Sequence, residues 1–570
     1  MGTRTTIAIP RERPSTRFAS AAHGAPLGSL TTQNEDGSGR PEMHPAKERP
    51  KVSSYLCAGL LIATNVMSCA ALSGLDQFEI DGENTTAGAG AGGDGGTGTP
   101  VACIPKGSDR AVEDDCGVWV SNTRGDDGNH GGNKDAPKRS LSHAALVAVE
   151  RGVPRVYACG EVFEEQVEVR PGVTIFGGLD CSAGWIWKED TKTSVHGPPD
   201  VPAVKLLAGD GTTRLEDLEI RASDAETPGA SSIGVLAAGV TAELERCAIV
   251  VGNGANGAPG APAVPGDPVP EAQGGMPGRP GRDACSTLGV EAMTNGGAAV
   301  IGECGGDGGT PSIGGKGGDA ALASGMTGEA GQEGAAGAPG DGEPASGSWS
   351  CAASGNGEEG EDGEPGQPGS GGTGLGTLTA ESGYAGVSGS PGTPGKPGQG
   401  GGGGGGARGS ATCPGNVAGA GASGGSGGSG GCGGKPGQGG EAGGSSIALA
   451  SIHAMVSLND CTLEASNGGK GGAGGAWQEG GAGGAGGPGG NPSGNAKRGC
   501  SGGAGGFGGA GGQGGGGRGG HALAIAYSGA TVSTSQEVRL TQGEAGLGGE
   551  GSSQQNAGAP GIKAPQQEFP

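Results

Sequence analysis

Six acidic residues, Glu216, Asp217, Glu219, Glu243, Glu245 and Asp460, are the side chains best suited by type to carry chemistry. Glycosidic hydrolysis needs two carboxylates converging on the bond, one held protonated, and elimination needs a base beside cation-holding aspartates. Most of these acids alternate with apolar residues, so they point away from a shared core and read as a solvated face. Asp126 and Asp127 lie in a glycine-rich loop without a partner. His130, His143, His196, His453 and His521 follow no metal-ligand spacing, and His143 reads as a surface or cap residue. GASGG (421–425) and GGSGG (424–428) match a nucleophile elbow but have no strand before them and no helix after. The GxGxxG matches lack the same context, and GGKGGDAAL (314–322) approaches a calcium-binding nonapeptide that occurs once, with nothing to stack on. No catalytic, cofactor-binding or metal-ligating residue is assigned.

Any site would have to be positioned by a repeat. Val204, Leu206, Leu215, Leu218 and Ile220 recur 29 residues later as Ile233, Val235, Leu244, Cys247 and Ile249, and again as Ile447, Leu449, Leu458, Cys461 and Leu463. A looser copy holds Leu523, Ile525, Val538 and Leu540. Short apolar runs of period 2, repeated as a block, predict a solenoid whose rungs bury inward residues on the next rung. The ladder cysteines Cys247 and Cys461 then become neighbours, in contact with or without a bond. Each second strand ends in a turn pair (Ser223-Asp224, Gly252-Asn253, Ser466-Asn467, Gly543-Glu544) that suits a left-handed corner and a stacked amide ladder. The irregular sequence leaves after that corner, so both long insertions are expected on one edge.

Those insertions are glycine-rich, in a chain with 140 glycines and only 3% aromatic residues. Their few apolar side chains cannot offset the backbone entropy of ordering, which predicts disorder. The alternative rests on period: Gly325, Gly328, Gly331, Gly334, Gly337 and Gly340 are three apart, and 480–491 is a run of GGX triplets, which suits bundled polyglycine-II helices. Formal charge is −24, and removing residues 1–68, with eight basic and five acidic residues, gives −24 − 3 = −27. Such a field repels nucleic acid. Fourteen cysteines, twelve of them after Cys69, fit an oxidising compartment. Cys103 and Cys116 bracket a short loop and are candidates to pair with each other.

Residues 1–42 read as a disordered lead or a mis-assigned start. From Met43 a basic stretch, the apolar YLCAGLLIATNVM and Val66-Met67-Ser68-Cys69 follow. This resembles the lipobox of bacterial lipoproteins, which implies cleavage before Cys69, lipidation of Cys69 and an outer-membrane anchor. Residues 69–102 read as a flexible tether.

Residues 118–181 predict a strand, a glycine and aspartate loop, a helix capped by Ser140 with Leu141, Ala145 and Val149 on its apolar face, then the strands RVYA, VEV and VTIF. Trp185 and Trp187 read as a loop packed on the rungs. The order of elements resembles the opening of right-handed parallel β-helix proteins of the pectin-lyase-like class, whose first rung is plugged by a helix. The whole is similar to glycine-rich surface lipoproteins of myxobacterial type, with tracts like those of PE-PGRS proteins but no PE domain.

The expected fold is all-β: a short right-handed parallel β-helix with an N-terminal capping helix and long glycine-rich insertions, disordered or polyglycine-II-like. The expected divisions are a signal peptide (43–68), leader and first rungs (103–253), an insertion (254–445), a rung (446–467), an insertion (468–520), the last rung (521–544) and a disordered tail (545–570). The resemblance implies a non-enzymatic, lipid-anchored envelope protein that contacts matrix polysaccharide or protein without a cofactor. A polysaccharide lyase or glycoside hydrolase is the alternative.

Overall fold

The computed structural model describes residues 101–266, 268–304, 310–332 and 337–570, all within the compact unit Asp94–Pro570. Residues 1–100, with Cys69, the signal segment and nearly all of the tether, lie outside the described residues.

The described chain is mostly sheet, with few helices. Parallel strands stack into three sheets that the chain visits in a fixed cyclic order, an arrangement compatible with an all-β parallel solenoid. The first sheet takes Val118–Val120, Arg155–Cys159, Thr174–Asp180, Thr212–Glu216, Thr241–Glu245, Met455–Asn459 and Ser533–Thr534. The second runs from Val162–Phe163 through Thr193–Gly197, Leu218–Ala222, Ala248–Val251 and Thr462–Ala465 to Arg539–Gln542. The third runs from Val167–Val169 through Val204–Leu206, Ser232–Ala238, Ser446–Ile452 and Ala522–Ser528 to Lys563–Glu568.

Alternation places one side of each strand in a shared core. Leu215, Leu244 and Leu458 form one ladder, and Ile220, Ile249 and Leu463 another, all buried. Full burial of such a side chain stabilises by about 1.5–3 kcal/mol. In the third sheet the register differs from the 29-residue repeat: Val204 pairs with Val235 and Leu206 with Ala237, two residues further on. A shift of two preserves the facing, so both stay in the core. Ile233 and Ile447, expected inward, instead join Leu236 and Leu523 in an outer cluster, because Tyr384 from the long insertion and Phe569 near the C-terminus cover that face. Residues 545–570, expected to be disordered, supply the strand Lys563–Glu568, parallel to Ala522–Ser528.

The helix Leu141–Glu150 closes the first end of the core with Leu141, Ala144, Ala145 and Ala148, while Val149 is exposed. Ser140 makes no side-chain cap. Glu165 takes that role across the chain, its carboxylate accepting from Leu141 N at 2.7 Å and Ser142 N at 3.2 Å, where the helix dipole favours negative charge. Asp127 is not without partners: it accepts from Arg139 N (2.9 Å), Ser140 N (3.0 Å) and Ser140 Oγ (2.9 Å).

Candidate functional site

Asp217 occupies the turn between Thr212–Glu216 and Leu218–Ala222 in a left-handed conformation, φ +57°. Arg246 and Asp460 repeat that conformation at the equivalent turns, so the left-handed corner lies between the first and second sheets and not at the asparagine turns. Asp217 is buried, against the expectation of a solvated face. It accepts from Trp187 Nε1 (2.8 Å), Lys192 Nζ (2.9 Å) and Arg246 Nη2 (2.9 Å), and Arg246 also reaches Glu216 at 2.9 Å and pairs with Glu245. Burial pushes the Asp217 carboxyl up, but the bonds from Arg246, Lys192 and Trp187 outweigh it and hold the group below the usual carboxylate range. A general acid requires the opposite shift. Glu219, bonded to Ser194 Oγ at 2.9 Å and paired with Arg221, is likewise held low, and Glu243 pairs with Arg214 at 2.8 Å. Arg246 escaped the sequence reading, although a signal existed: it stands 29 residues after Asp217, at the same place in the repeat, with opposite charge.

Cys247 and Cys461 lie one position before the paired residues Ala248 and Thr462, and Cys247 N donates to Cys461 Sγ at 3.4 Å. They are free thiols, donating to Leu215 O at 3.3 Å and Leu244 O at 3.4 Å. Neighbouring Cys461 and burial push the Cys247 thiol well up, so it stays protonated as an apolar core group. The other described cysteines pair as Cys103–Cys116, Cys159–Cys181, Cys285–Cys413, Cys304–Cys432 and Cys351–Cys500. Trp185 is buried edge-on to Trp119, which stacks on Tyr157 with ring centres 4.7 Å apart. These rings and the first two disulfides cover the outer face of the first sheet.

The largest ordered feature outside the sheets is made by the insertions. All of them leave between the second and third sheets, where Asn253 N donates to Asp224 Oδ1 (2.6 Å), Asn467 Nδ2 to Asn253 Oδ1 (3.1 Å) and Glu544 N to Asn467 Oδ1 (2.8 Å). Beyond that ladder the stretches 254–263 and 272–284 lie parallel to 468–491, joined within each stretch at every third residue: Gly254 to Asn467, Gly257 to Lys470 and Gly260 to Ala473, at 2.8–2.9 Å. Run 420–445 packs antiparallel on both (Gly444 N to Ala255 O, Gly469 N to Gly444 O) and parallel to 499–520 (Gly428 N to Gly503 O). Runs 389–407 and 357–372 extend the array.

Disorder is therefore not what the structure holds. The entropy argument counted side chains alone, whereas here the order comes from backbone hydrogen bonds, each contributing about 1 kcal/mol, from close packing of glycine backbones, and from three disulfides that span 128, 128 and 149 residues.

Glycine content follows the number of neighbours. Run 254–263 has two neighbouring runs and keeps one glycine per triplet, GANGAPGAPA, whereas 468–476, flanked by 254–284, 420–445, 499–520 and 543–551, keeps two, GGKGGAGGA. Residues 400–406 are all glycine, and there 312–318, 325–332, 337–343, 357–372, 420–445 and 499–520 surround the chain. A Cβ on Gly401, Gly402 or Gly403 would overlap the carbonyl oxygens of Gly503, Ala338 or Lys316. Outer positions of the edge runs carry Pro259, Pro262, Pro365 and Pro368, which have no N–H to recruit another chain.

Comparison with protein-family models, with curated proteins and with solved structures returns no match.

Proposed function

We propose that the chain is a non-enzymatic envelope protein, anchored by lipid at Cys69, whose right-handed parallel β-helix presents a polyglycine-II-like bundle to matrix polysaccharide or protein. The observation that carries this reading is the shared exit: Asp224, Asn253, Asn467 and Glu544 gather every insertion on one corner, and the runs beyond it are bonded into one array. Support for an extracytoplasmic setting comes from ten described cysteines in disulfides and from an acidic chain that repels nucleic acid. Of the acids that a hydrolase would use, Glu216, Asp217, Glu219, Glu243 and Glu245 are bound to Arg246, Lys192, Arg221 or Arg214. The test has two parts. Mass spectrometry of the membrane fraction should find a mature terminus at lipidated Cys69, and cells carrying the full chain should adhere to matrix polysaccharide while cells whose bundle is replaced by short linkers do not. An unmodified terminus elsewhere removes the anchor, and equal adhesion removes the display role.

A further inference from the structure

Five asparagines of the described chain precede a glycine: Asn253, Asn256, Asn295, Asn356 and Asn467. Such a pair can react with itself: the glycine nitrogen attacks the side-chain carbonyl carbon, the side-chain nitrogen leaves as ammonia, and water opens the resulting imide to aspartate or isoaspartate. Four of the five are clamped. In each, the amide oxygen accepts the N–H of a residue on the adjacent run, and the following glycine donates to that same residue's carbonyl. Asn253 and Gly254 hold Asn467 (3.1 and 2.9 Å), Asn256 and Gly257 hold Lys470 (2.7 and 2.8 Å), Asn356 and Gly357 hold Ser501 (3.2 and 3.0 Å), and Asn467 and Gly468 hold Glu544 (2.8 and 2.9 Å). The clamp aims the side chain at the neighbouring run, away from the glycine nitrogen, and it gives that nitrogen's proton to a neutral carbonyl, which cannot keep it.

Asn295 departs from this pattern. It is exposed, and its side-chain amide bonds nothing among the described residues, while its backbone is fixed: Ser423 Oγ donates to Asn295 O at 2.8 Å, Thr294 Oγ1 to Gly421 O at 2.6 Å and Gly297 N to Gly424 O at 2.9 Å. Gly296 N–H meets a carboxylate, Asp319 Oδ1, at 2.7 Å, and Lys316 Nζ pairs with that carboxylate at 2.9 Å. A carboxylate can take the amide proton that a carbonyl cannot, and a base so placed contributes about a hundredfold or more in rate. We propose that Asn295 is a self-modification site, converted to aspartate or isoaspartate with Asp319 as the base, and that the clamps keep the other four asparagines intact. As the bond from Gly296 N to Asn295 Cγ forms, the proton passes to Asp319 and on to the departing Nδ2, so that ammonia leaves and water is the only co-reactant. Either product adds a carboxylate close to Asp319. Isoaspartate also lengthens the backbone between Thr294 and Gly297, both of which are held, so the paired strands Met293–Thr294 and Ala320–Ala321 loosen.

Peptide mapping by mass spectrometry tests it, on the full chain kept in mildly alkaline buffer, once folded and once in urea with the disulfides reduced. In the folded chain Asn295 should convert while Asn253, Asn256, Asn356 and Asn467 persist. In urea all five should convert at similar rates, because each is followed by glycine. Asp319→Asn should slow Asn295 about a hundredfold in the folded chain and leave its rate in urea unchanged. Asp319→Glu should restore part of the rate. A merely structural role for Asp319 would act the other way, since loosening the turn in Asp319→Asn would let Asn295 convert faster. Conversion at a clamped asparagine as fast as at Asn295, an intact Asn295 in the folded chain, or a rate at Asn295 that Asp319→Asn leaves unchanged or raises each overturns the site. The first two of these are read on the unaltered chain, so they decide the matter even where a variant fails to fold.

Discussion

At Asp217 a carboxylate sits in a buried turn with three donors around it, and its partner Arg246 bonds Glu216 as well. Removing one side of such a cluster leaves uncompensated buried charge, so Asp217→Ala should cost about 3 kcal/mol in urea unfolding. Because the folded group titrates below its unfolded value, its contribution is complete above about pH 4 and is lost as pH falls through the folded value. His521 works in the opposite sense. It is fully buried, its Nδ1 accepts from Ile562 N at 2.8 Å, its Nε2 bonds Leu375 O at 2.9 Å, and burial with nearby Arg518 lowers its pKa. The unfolded chain takes a proton below about pH 6.5 that the folded ring resists, so stability falls as pH drops through that point. Protection factors of the amides in Lys563–Glu568, with the intrinsic pH dependence of exchange divided out, should fall between pH 7.5 and 5.5, and His521→Asn should remove that step. Protection factors that stay flat over that range in the unaltered chain contradict the assignment.

At the scale of elements, the array predicts which glycines are replaceable. A Cβ on Gly427 collides with Gly401 O in the packed interior, whereas on Gly274 the nearest atom is Ala482 O at 3.4 Å. Gly427→Ala should therefore lose about 3 kcal/mol or more, and Gly274→Ala should stay within about 0.5 kcal/mol, both read from thermal unfolding. Similar losses at both positions would show that backbone freedom, and not neighbour contact, explains the glycines.

For the whole molecule, sheets and array share one corner but draw on different sources of order. The sheets bury side chains between them, and the array joins backbones. Replacing 254–445 with about seven residues, so that the corner matches the length of 223–231, should leave the sheets protected from amide exchange. Run 468–520 should then exchange quickly, because 420–445 supplied many of its partners. Lost protection in Ala248–Val251 would mean that the array supports the sheets.

The sequence by itself determined what repeats locally. The 29-residue spacing marks the ladders of Leu215 and Ile220, the turn at Asn253 and Asn467 marks the common exit, and the triplet period marks the runs, because periodicity is written in side-chain type. Tertiary structure alone decided the two-residue register shift at Val204, the capping of Leu141 by Glu165, the partners of Asp217, and the pairing of Cys285 with Cys413 and Cys304 with Cys432. It also decided that the glycine tracts are ordered. Backbone N–H and C=O groups are common to nearly every residue and so leave no mark of their partners in sequence; only the count of glycines per triplet records how many neighbours a run must admit.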